Sequence, residues 1–168
     1  MCRKGLYSLI GIIALVFVLI MSGCSSNKVP PRVEYKPSGI VISYNSVPNL
    51  NAYDQSPHSL ILAVYQLDNI NAFHQLNSNK VGIQKLLTLD KLDPSFLGID
   101  KRFIFANESG IITLDRLENT RWVGIVAGYY DSNSNQTVME LQIPGNTSNT
   151  LYTNLLLDTN SLKEVDSK

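Results

Sequence analysis

The chain has 168 residues, with 14 basic and 14 acidic side chains, two histidines and two cysteines. This length suits one domain with a substantial core. The balanced charge, without any cluster of lysines and arginines, argues against a nucleic-acid-binding protein.

The N-terminus has the three parts of a secretory signal peptide. Residues 3–4 are basic, residues 6–20 are apolar, and the chain then reads Met21-Ser22-Gly23-Cys24. These four residues resemble a bacterial lipobox, in which the cysteine thiol receives a diacylglycerol group and the chain is cut just before it. We therefore predict that residues 1–23 are a cleaved lipoprotein signal peptide and that Cys24 is the lipidation site.

Two alternatives to a lipoprotein are a retained transmembrane helix and a plain secreted protein. The apolar run is short for a hydrocarbon core of about 30 Å. In Gram-negative lipoproteins an aspartate after the cysteine commonly causes retention at the inner membrane, whereas the serine found here, Ser25, permits export. By this resemblance the predicted location is the periplasmic face of the outer membrane.

Cleavage leaves 145 residues with 12 basic and 14 acidic groups. Cys2 leaves with the signal peptide and Cys24 carries lipid, so the mature domain has no cysteine for a disulfide, a metal site or a redox site. We expect no cofactor beyond the lipid.

The first part of the mature chain, residues 24–38, contains three prolines and is predicted to be an extended tether. Gly39–Asn45 follows, with Ile40, Ile42 and Tyr44 on one face at the period of a strand. Ser46–Pro57 is rich in turn residues and is long for a connection between two strands.

The next segments predict one buried strand and a helical insertion. Ser59–Leu67 is apolar on both faces, which indicates a central strand with cover on each side, and a buried helix is the alternative. Ile70, Phe73 and Leu76 recur at helical spacing, so residues 68–98 are predicted to hold short helices. Asp93-Pro94 resembles the start of the last one and Gly98 its end.

The remaining pattern predicts a β-sandwich. Further strands are expected at Lys101–Phe105, Ile111–Asp115, Arg121–Tyr130 and Thr137–Ile143. The sandwich domain is therefore expected to span residues 39–144. Residues 145–168 are expected to be a partly disordered extension, with one possible edge strand at Leu151–Leu157 and disorder from Ser161.

No catalytic or metal-binding constellation is visible in the sequence. His58 and His74 are separated from each other and from any cysteine, and no phosphate loop or nucleophile motif occurs. We expect neither an enzyme nor a binder of a small-molecule substrate. Trp122, Tyr129 and Tyr130 are expected to pack in the core or on one face of a strand, and a sugar-stacking platform is the alternative.

Four stretches behind the lipobox resemble, in order, the outer-membrane lipoprotein of the type VI secretion system, the TssJ family. They are the strand at residues 39–45 with its following loop, the segment Ser-Leu-Ile-Leu-Ala-Val-Tyr-Gln-Leu at 59–67, the phenylalanine that begins the helical stretch, Phe73, and Val-Gly-Ile-Val-Ala-Gly-Tyr-Tyr-Asp at 123–131.

The resemblance implies a transthyretin-like two-sheet β-sandwich with a small helical addition. It also implies a scaffold that binds the periplasmic domain of the inner-membrane subunit TssM. Two other functions remain open, namely a lipoprotein that binds glycan or peptidoglycan, and a pilotin-like lipoprotein that assists assembly of an outer-membrane pore.

The loop Ser46–Pro57 is the predicted partner-binding site, because the family's first inter-strand loop contacts the inner-membrane subunit. Leu50 and Tyr53 are not turn formers, and tyrosine suits a binding anchor. The alternative is that both side chains fold back onto the sandwich. The predicted contact residues are Asn49, Leu50, Asn51, Tyr53 and Asp54.

Overall fold

The computed structural model describes residues 32–90, 93–131, 134–144 and 149–166. Within these ranges the strands are β1 (Lys36–Ser46), β2 (Leu60–Leu67), β3 (Phe96–Ile104), β4 (Ser109–Arg116), β5 (Trp122–Ala127), β6 (Val138–Gln142), β7 (Leu151–Leu157) and β8 (Leu162–Glu164). The helices are α1 (Asn71–Asn77), α2 (Lys80–Thr88) and the single turn α3 (Ser134–Thr137). None of the described helices is long and apolar enough to cross a membrane.

The strands form two four-stranded sheets. The first sheet has the order β4-β1-β7-β8, and the second has the order β3-β2-β5-β6. All neighbours are antiparallel except β1 and β7, which run parallel. The prediction of a two-sheet β-sandwich with a small helical addition is therefore confirmed.

Two cores explain why β2 is apolar on both faces. Leu62 and Val64 face the first sheet and join the aliphatic core between the sheets. Ala63 and Tyr65 point the other way and pack with Phe73 of α1 in a second core beneath the helices. A central strand covered on each side is what this double apolar pattern predicts.

The helical insertion covers the outer face of the second sheet. Helix α2 begins with an N-cap, since the Asn79 side chain accepts a hydrogen bond from the Gly82 N–H at 2.9 Å. Its buried face supplies Ile83 and Leu86 to the second core. The Tyr65 hydroxyl donates to the carbonyl of Leu86, which ties β2 to this helix.

The predicted helix from Asp93 to Gly98 is wrong. The Asp93 side chain accepts from the Ser95 N–H at 2.9 Å, and its carbonyl accepts from the Phe96 N–H at 3.0 Å. These bonds close a turn, because an aspartate that binds the amide two residues on favours a turn as much as a cap. Strand β3 then begins at Phe96, with Gly98 paired to Gln66 of β2.

The predicted C-terminal extension is part of the domain. Strand β7 lies inside the first sheet between β1 and β8, and is not an edge strand. Residues 162–164, which were expected to be disordered, form β8. The Tyr129 hydroxyl donates to the Ser161 carbonyl at 2.7 Å, which binds this segment to the second sheet.

The described part of the predicted tether, residues 32–38, packs against the sandwich. Val33 is buried, and its carbonyl accepts a hydrogen bond from the Asn119 N–H at 2.7 Å. Further contacts join Arg32 to Glu118, the Tyr35 hydroxyl to Asp115, and the Ser38 N–H to Asp115. The described domain therefore begins at Arg32, seven residues before the predicted start at residue 39.

Candidate partner-binding site: the tyrosine tip

The loop between β1 and β2 contains a tight hairpin. Tyr53 and Ser56 exchange both backbone hydrogen bonds at 3.0 Å. The two residues between them, Asp54 and Gln55, have φ values of 50° and 61°. Two consecutive residues with positive φ between a bonded pair define a type I′ turn. The loop thus presents Tyr53 on an ordered hairpin.

Two of the predicted contact residues form the base of this hairpin. Leu50 is fully buried in the core between the sheets, and Asn51 is 8% exposed. The Asn51 amide donates to the Ser59 carbonyl at 3.1 Å and accepts from the Tyr130 N–H at 2.7 Å. Both residues are therefore used inside the domain in this structure, and the predicted contact of Leu50 and Asn51 with a partner would require the loop to open.

The bond between Asn51 and Tyr130 brings a second tyrosine to the loop. The rings of Tyr53 and Tyr130 lie 4.0 Å apart between centroids, with 39° between their planes. A hydrogen bond to the Tyr53 side chain raises the pKa of the Tyr130 hydroxyl above its usual value. His58 lies beside the pair, with its Nε2 3.3 Å from the Tyr53 carbonyl.

We call Tyr53, Asp54, Gln55 and Tyr130 the tyrosine tip. Tyr53 is 49% exposed and Tyr130 is 68% exposed, although each is packed against the other. Paired rings of this kind offer a protein partner apolar area, two hydroxyls and few rotamers to immobilise. Asn49 and Asp54 are also exposed, so three residues of the predicted set, Asn49, Tyr53 and Asp54, remain available for contact.

The tip lies at the end of the sandwich opposite to where the chain enters it. Strand β1 begins at Lys36 beside the N-terminal contacts and runs for 11 residues to Ser46, where the loop begins. At about 3.3 Å per residue this separates the two ends by roughly 35 Å. Phe105 reaches the same end, since its carbonyl accepts from the Ser46 hydroxyl at 2.6 Å, and its side chain is exposed.

Trp122 and Tyr129 pack in the domain as expected, and the three aromatic residues do not form the sugar-stacking platform considered as the alternative. Trp122 packs against the second core, and Tyr129 is buried in the core between the sheets. Only Tyr130 is exposed, and its ring neighbour is Tyr53. Sequence reasoning missed this pairing because it depends on the Asn51 side chain, which joins segments 79 residues apart.

The described residues show no other chemical centre. Over these ranges there is no group of three or more His, Cys, Asp and Glu side chains that could hold a metal ion. His74 pairs with Glu140, while His58 contacts the Tyr53 carbonyl, so each histidine has a separate local role. Cys24 lies outside the described residues.

Solved structures share the fold at low sequence identity. The "Crystal structure of the T6SS lipoprotein TssJ1 from Pseudomonas aeruginosa" matches with a TM-score of 0.63 and 23% identity, over 83% of this chain and 98% of that one. The structure of Serratia marcescens Lip, a membrane-bound component of the type VI secretion system, matches with a TM-score of 0.65 and 18% identity, over 83% and 100%.

A chain in a third structure also matches. It belongs to "T6SS protein TssM C-terminal domain (869-1107) from EAEC", with a TM-score of 0.62 and 13% identity, over 76% of this chain and 98% of that one. A comparison with curated proteins gives no match.

The sequence itself matches a family. Residues 39–160 match the family described as "Type VI secretion lipoprotein, VasD, EvfM, TssJ". This range includes the whole tyrosine tip and both sheets, apart from β8 and the first three residues of β1. It is a family of secretion-system lipoproteins and not of enzymes. The chain therefore belongs to the type VI secretion lipoprotein family, the TssJ family.

Proposed function

We propose that this lipoprotein is anchored by lipid on Cys24 in the outer membrane and binds the periplasmic domain of the inner-membrane subunit TssM through its tyrosine tip. In this role it connects the outer membrane to the rest of the secretion complex. It needs no catalysis and no small-molecule substrate. The observation that carries the proposal is the exposed tyrosine pair, held on an ordered turn at the end of the domain away from the N-terminal segment.

The position of the tip suits a partner that comes from the other membrane. Arg32, where the described domain begins, is eight residue steps after Cys24 in the chain. Even fully extended, they span at most about 29 Å. In this proposal Arg32 can lie no further than that from the lipid anchor, and the tip, roughly 35 Å away along β1, can reach further into the periplasm.

The solved structure described as the TssM C-terminal domain supports the choice of TssM as the partner. The aligned part of its matching chain corresponds to 76% of 168 residues and is 98% of that chain, so that chain has about 130 residues. The printed segment 869–1107 has 239 residues. The matching chain is thus shorter than this TssM segment. A chain with the fold and the approximate size of this domain therefore occurs in that TssM structure.

Replacing Tyr53 and Tyr130 together with alanine should weaken binding to the TssM periplasmic domain by about 2–4 kcal/mol if both are hot spots. The melting temperature should hardly change, because both rings are largely outside the core. The measurement is titration calorimetry of purified lipoprotein against that domain, with a thermal melt of each variant.

The matched control is Tyr152→Ala, which removes a tyrosine of similar exposure, 72%, from a different face. Its affinity for the TssM domain should equal that of the wild type. An unchanged affinity of the double variant would remove the tip from the interface.

Replacing Cys24 with serine should abolish lipidation and leave the signal peptide uncleaved. The variant should be lost from the outer membrane fraction, and secretion should stop, since no other anchor is predicted in the chain. The control is Cys2→Ser, which changes the cysteine that leaves with the signal peptide. Membrane fractionation and a secretion assay test both variants, and a Cys24→Ser protein that stays in the outer membrane and supports secretion would contradict the anchor.

A further inference from the structure

The outer face of the first sheet carries an unusual set of side chains. Helices α1 and α2 pack against the second sheet, and the single turn α3 contacts the first sheet at its edge strand β8. The pairing of β1 with β4 and β7 aligns nine outward positions in three rows. We call these nine residues the outer grid: Val41, Ser43 and Asn45 on β1, Ser109, Ile111 and Thr113 on β4, and Tyr152, Asn154 and Leu156 on β7.

None of the nine residues of the outer grid is charged. An ordinary protein surface has roughly 25–35% charged residues, so two or three would be expected in a patch of this size. Instead the grid combines five short hydroxyl and amide side chains with four apolar ones. Two of the apolar ones are large and protrude, since Ile111 is 66% exposed and Tyr152 is 72% exposed.

The polar groups of the grid have unused hydrogen-bonding capacity. Over the described ranges, the side chains of Ser43 and Asn154 make no hydrogen bond within the chain. The side-chain oxygen of Asn45, Oδ1, accepts from the Ser109 hydroxyl, which leaves the Asn45 NH₂ group as a donor. These groups stand side by side, because Ser43 is the register partner of Asn154.

A groove runs over the same residues. It has a volume of about 340 Å³, with Ser43, Asn45, Asn154 and Leu156 among its lining and Val165 and Asp166 along one side. Such a volume is at the lower end of the range for ligand sites. Tyr152 lies two residues before Asn154 on the same face, about 7 Å along the strand, so its ring can extend the groove.

The side chains and the groove of the outer grid indicate which class of ligand it can bind. The nearest charged side chains stand at the rim of the grid, since Lys163 of β8 is in register with Leu156 and Asp166 lies along the groove. A charged ligand would therefore find no counter-charge at the centre of the grid, and a purely apolar one would leave the amides without partners. A second copy of the chain would bury five polar residues, whereas the centre of such an interface is usually apolar. A neutral glycan fits, since its hydroxyl and acetamido groups can bond to Asn and Ser while the apolar face of a sugar ring packs on tyrosine.

We propose that the outer grid binds the neutral, N-acetylated glycan chain of peptidoglycan. This choice of glycan rests on the periplasmic location in the proposed function. The grid occupies a side of the sandwich, and the tyrosine tip occupies its end, so the domain can hold the cell wall and the inner-membrane partner at different surfaces.

The experiment uses the full-length lipoprotein in detergent. One assay is co-sedimentation with purified peptidoglycan sacculi, and the other is titration with tri-N-acetylchitotriose as a defined probe. Tyr152→Ala should lower both affinities about tenfold, as expected for loss of an aromatic anchor. Asn154→Asp, which replaces an amide donor by a carboxylate of the same size, should lower them to a similar extent. The matched control is Tyr130→Ala, which should bind sacculi like the wild type.

The outcomes separate this proposal from the proposed function. Sacculus binding lost in Tyr152→Ala and kept in Tyr130→Ala, with the reverse pattern for the TssM domain, supports two surfaces. Absence of binding by the wild type, equal loss in both tyrosine variants, or binding only to free stem peptides or to lipopolysaccharide micelles would overturn the glycan site. So would a dimer in sedimentation that Tyr152→Ala dissociates, because the face would then be buried between copies.

Discussion

Replacing Val126 with aspartate should leave the domain largely unfolded at neutral pH. Val126 is fully buried on the helix side of β5, between Ala63 of β2 and Val138 of β6 in register. Its cluster contains the rings of Tyr65 and Phe73 and offers a carboxylate no charged partner. An unpaired buried charge costs several kcal/mol, which is comparable with the 5–15 kcal/mol that stabilise a typical domain.

The loss of unfolding free energy in Val126→Asp should depend on pH. Burial raises the folded-state pKa of the new aspartate above its unfolded value of about 3.9. The folded protein then binds more protons than the unfolded one between these two pKa values, so the variant loses stability as the pH rises through that window. Relative to the wild type, the deficit in unfolding free energy should be smallest in acid and largest at neutral pH.

Urea unfolding followed by circular dichroism at several pH values measures this deficit. The control is Val81→Asp, which places the same change on an exposed valine in the first turn of α2. An acidic side chain is tolerated there, because it lies near the positive end of the helix dipole. A cooperative transition of Val126→Asp at the wild-type urea concentration would show that the second core does not depend on this position.

The strands with two distinct faces were predictable from local pattern. In β5, Val123, Ile125 and Ala127 enter the core between the sheets, and Val126 enters the core beneath the helices, as the alternation predicts. A period of two fixes which side chains share a face, whatever the neighbouring strand is. This explains why the sandwich and its helical cover could be inferred without knowledge of the strand order.

The place of β7 in the sheet could not be inferred in this way. Leu151, Leu155 and Leu157 alternate like a half-buried strand, so the strand itself had a signal. Its parallel neighbour, β1, begins more than 100 residues earlier in the chain. Nothing local encodes such a pairing, and it decides whether the C-terminal segment is an appendage or an inner part of the sheet.

In the loop Ser46–Pro57, too, the local sequence was not enough to predict the structure. Leu50 and Tyr53 were both exceptional in a polar segment, and the sequence could not say which one faces the core. In the structure the two side chains have different environments. Tyr53 is exposed beside the I′ turn at Asp54 and Gln55, whereas Leu50 is buried in the core. One residue is thus available for binding and the other holds the loop in place.

Replacing Leu50 with alanine should therefore lower stability and not directly remove a contact with the partner. Leu50 is fully buried in the core between the sheets, and its carbonyl accepts from the His58 N–H at 3.0 Å across the base of the hairpin. A buried leucine cut to alanine costs about 2–5 kcal/mol, from lost burial and from the cavity that remains. For a domain of this size the melting temperature should fall by about 10 °C.

The matched comparison is Tyr53→Ala, three residues along the same loop. It should keep the wild-type melting temperature and lose affinity for the TssM domain, whereas Leu50→Ala should melt early and keep most of its affinity when measured well below its transition. Thermal melts and titrations at 10 °C on both single variants test this opposition. If Leu50→Ala kept its stability and lost affinity, the loop would have to open on binding and present Leu50 to the partner. The hairpin seen here would then be the unbound state of a surface that rearranges.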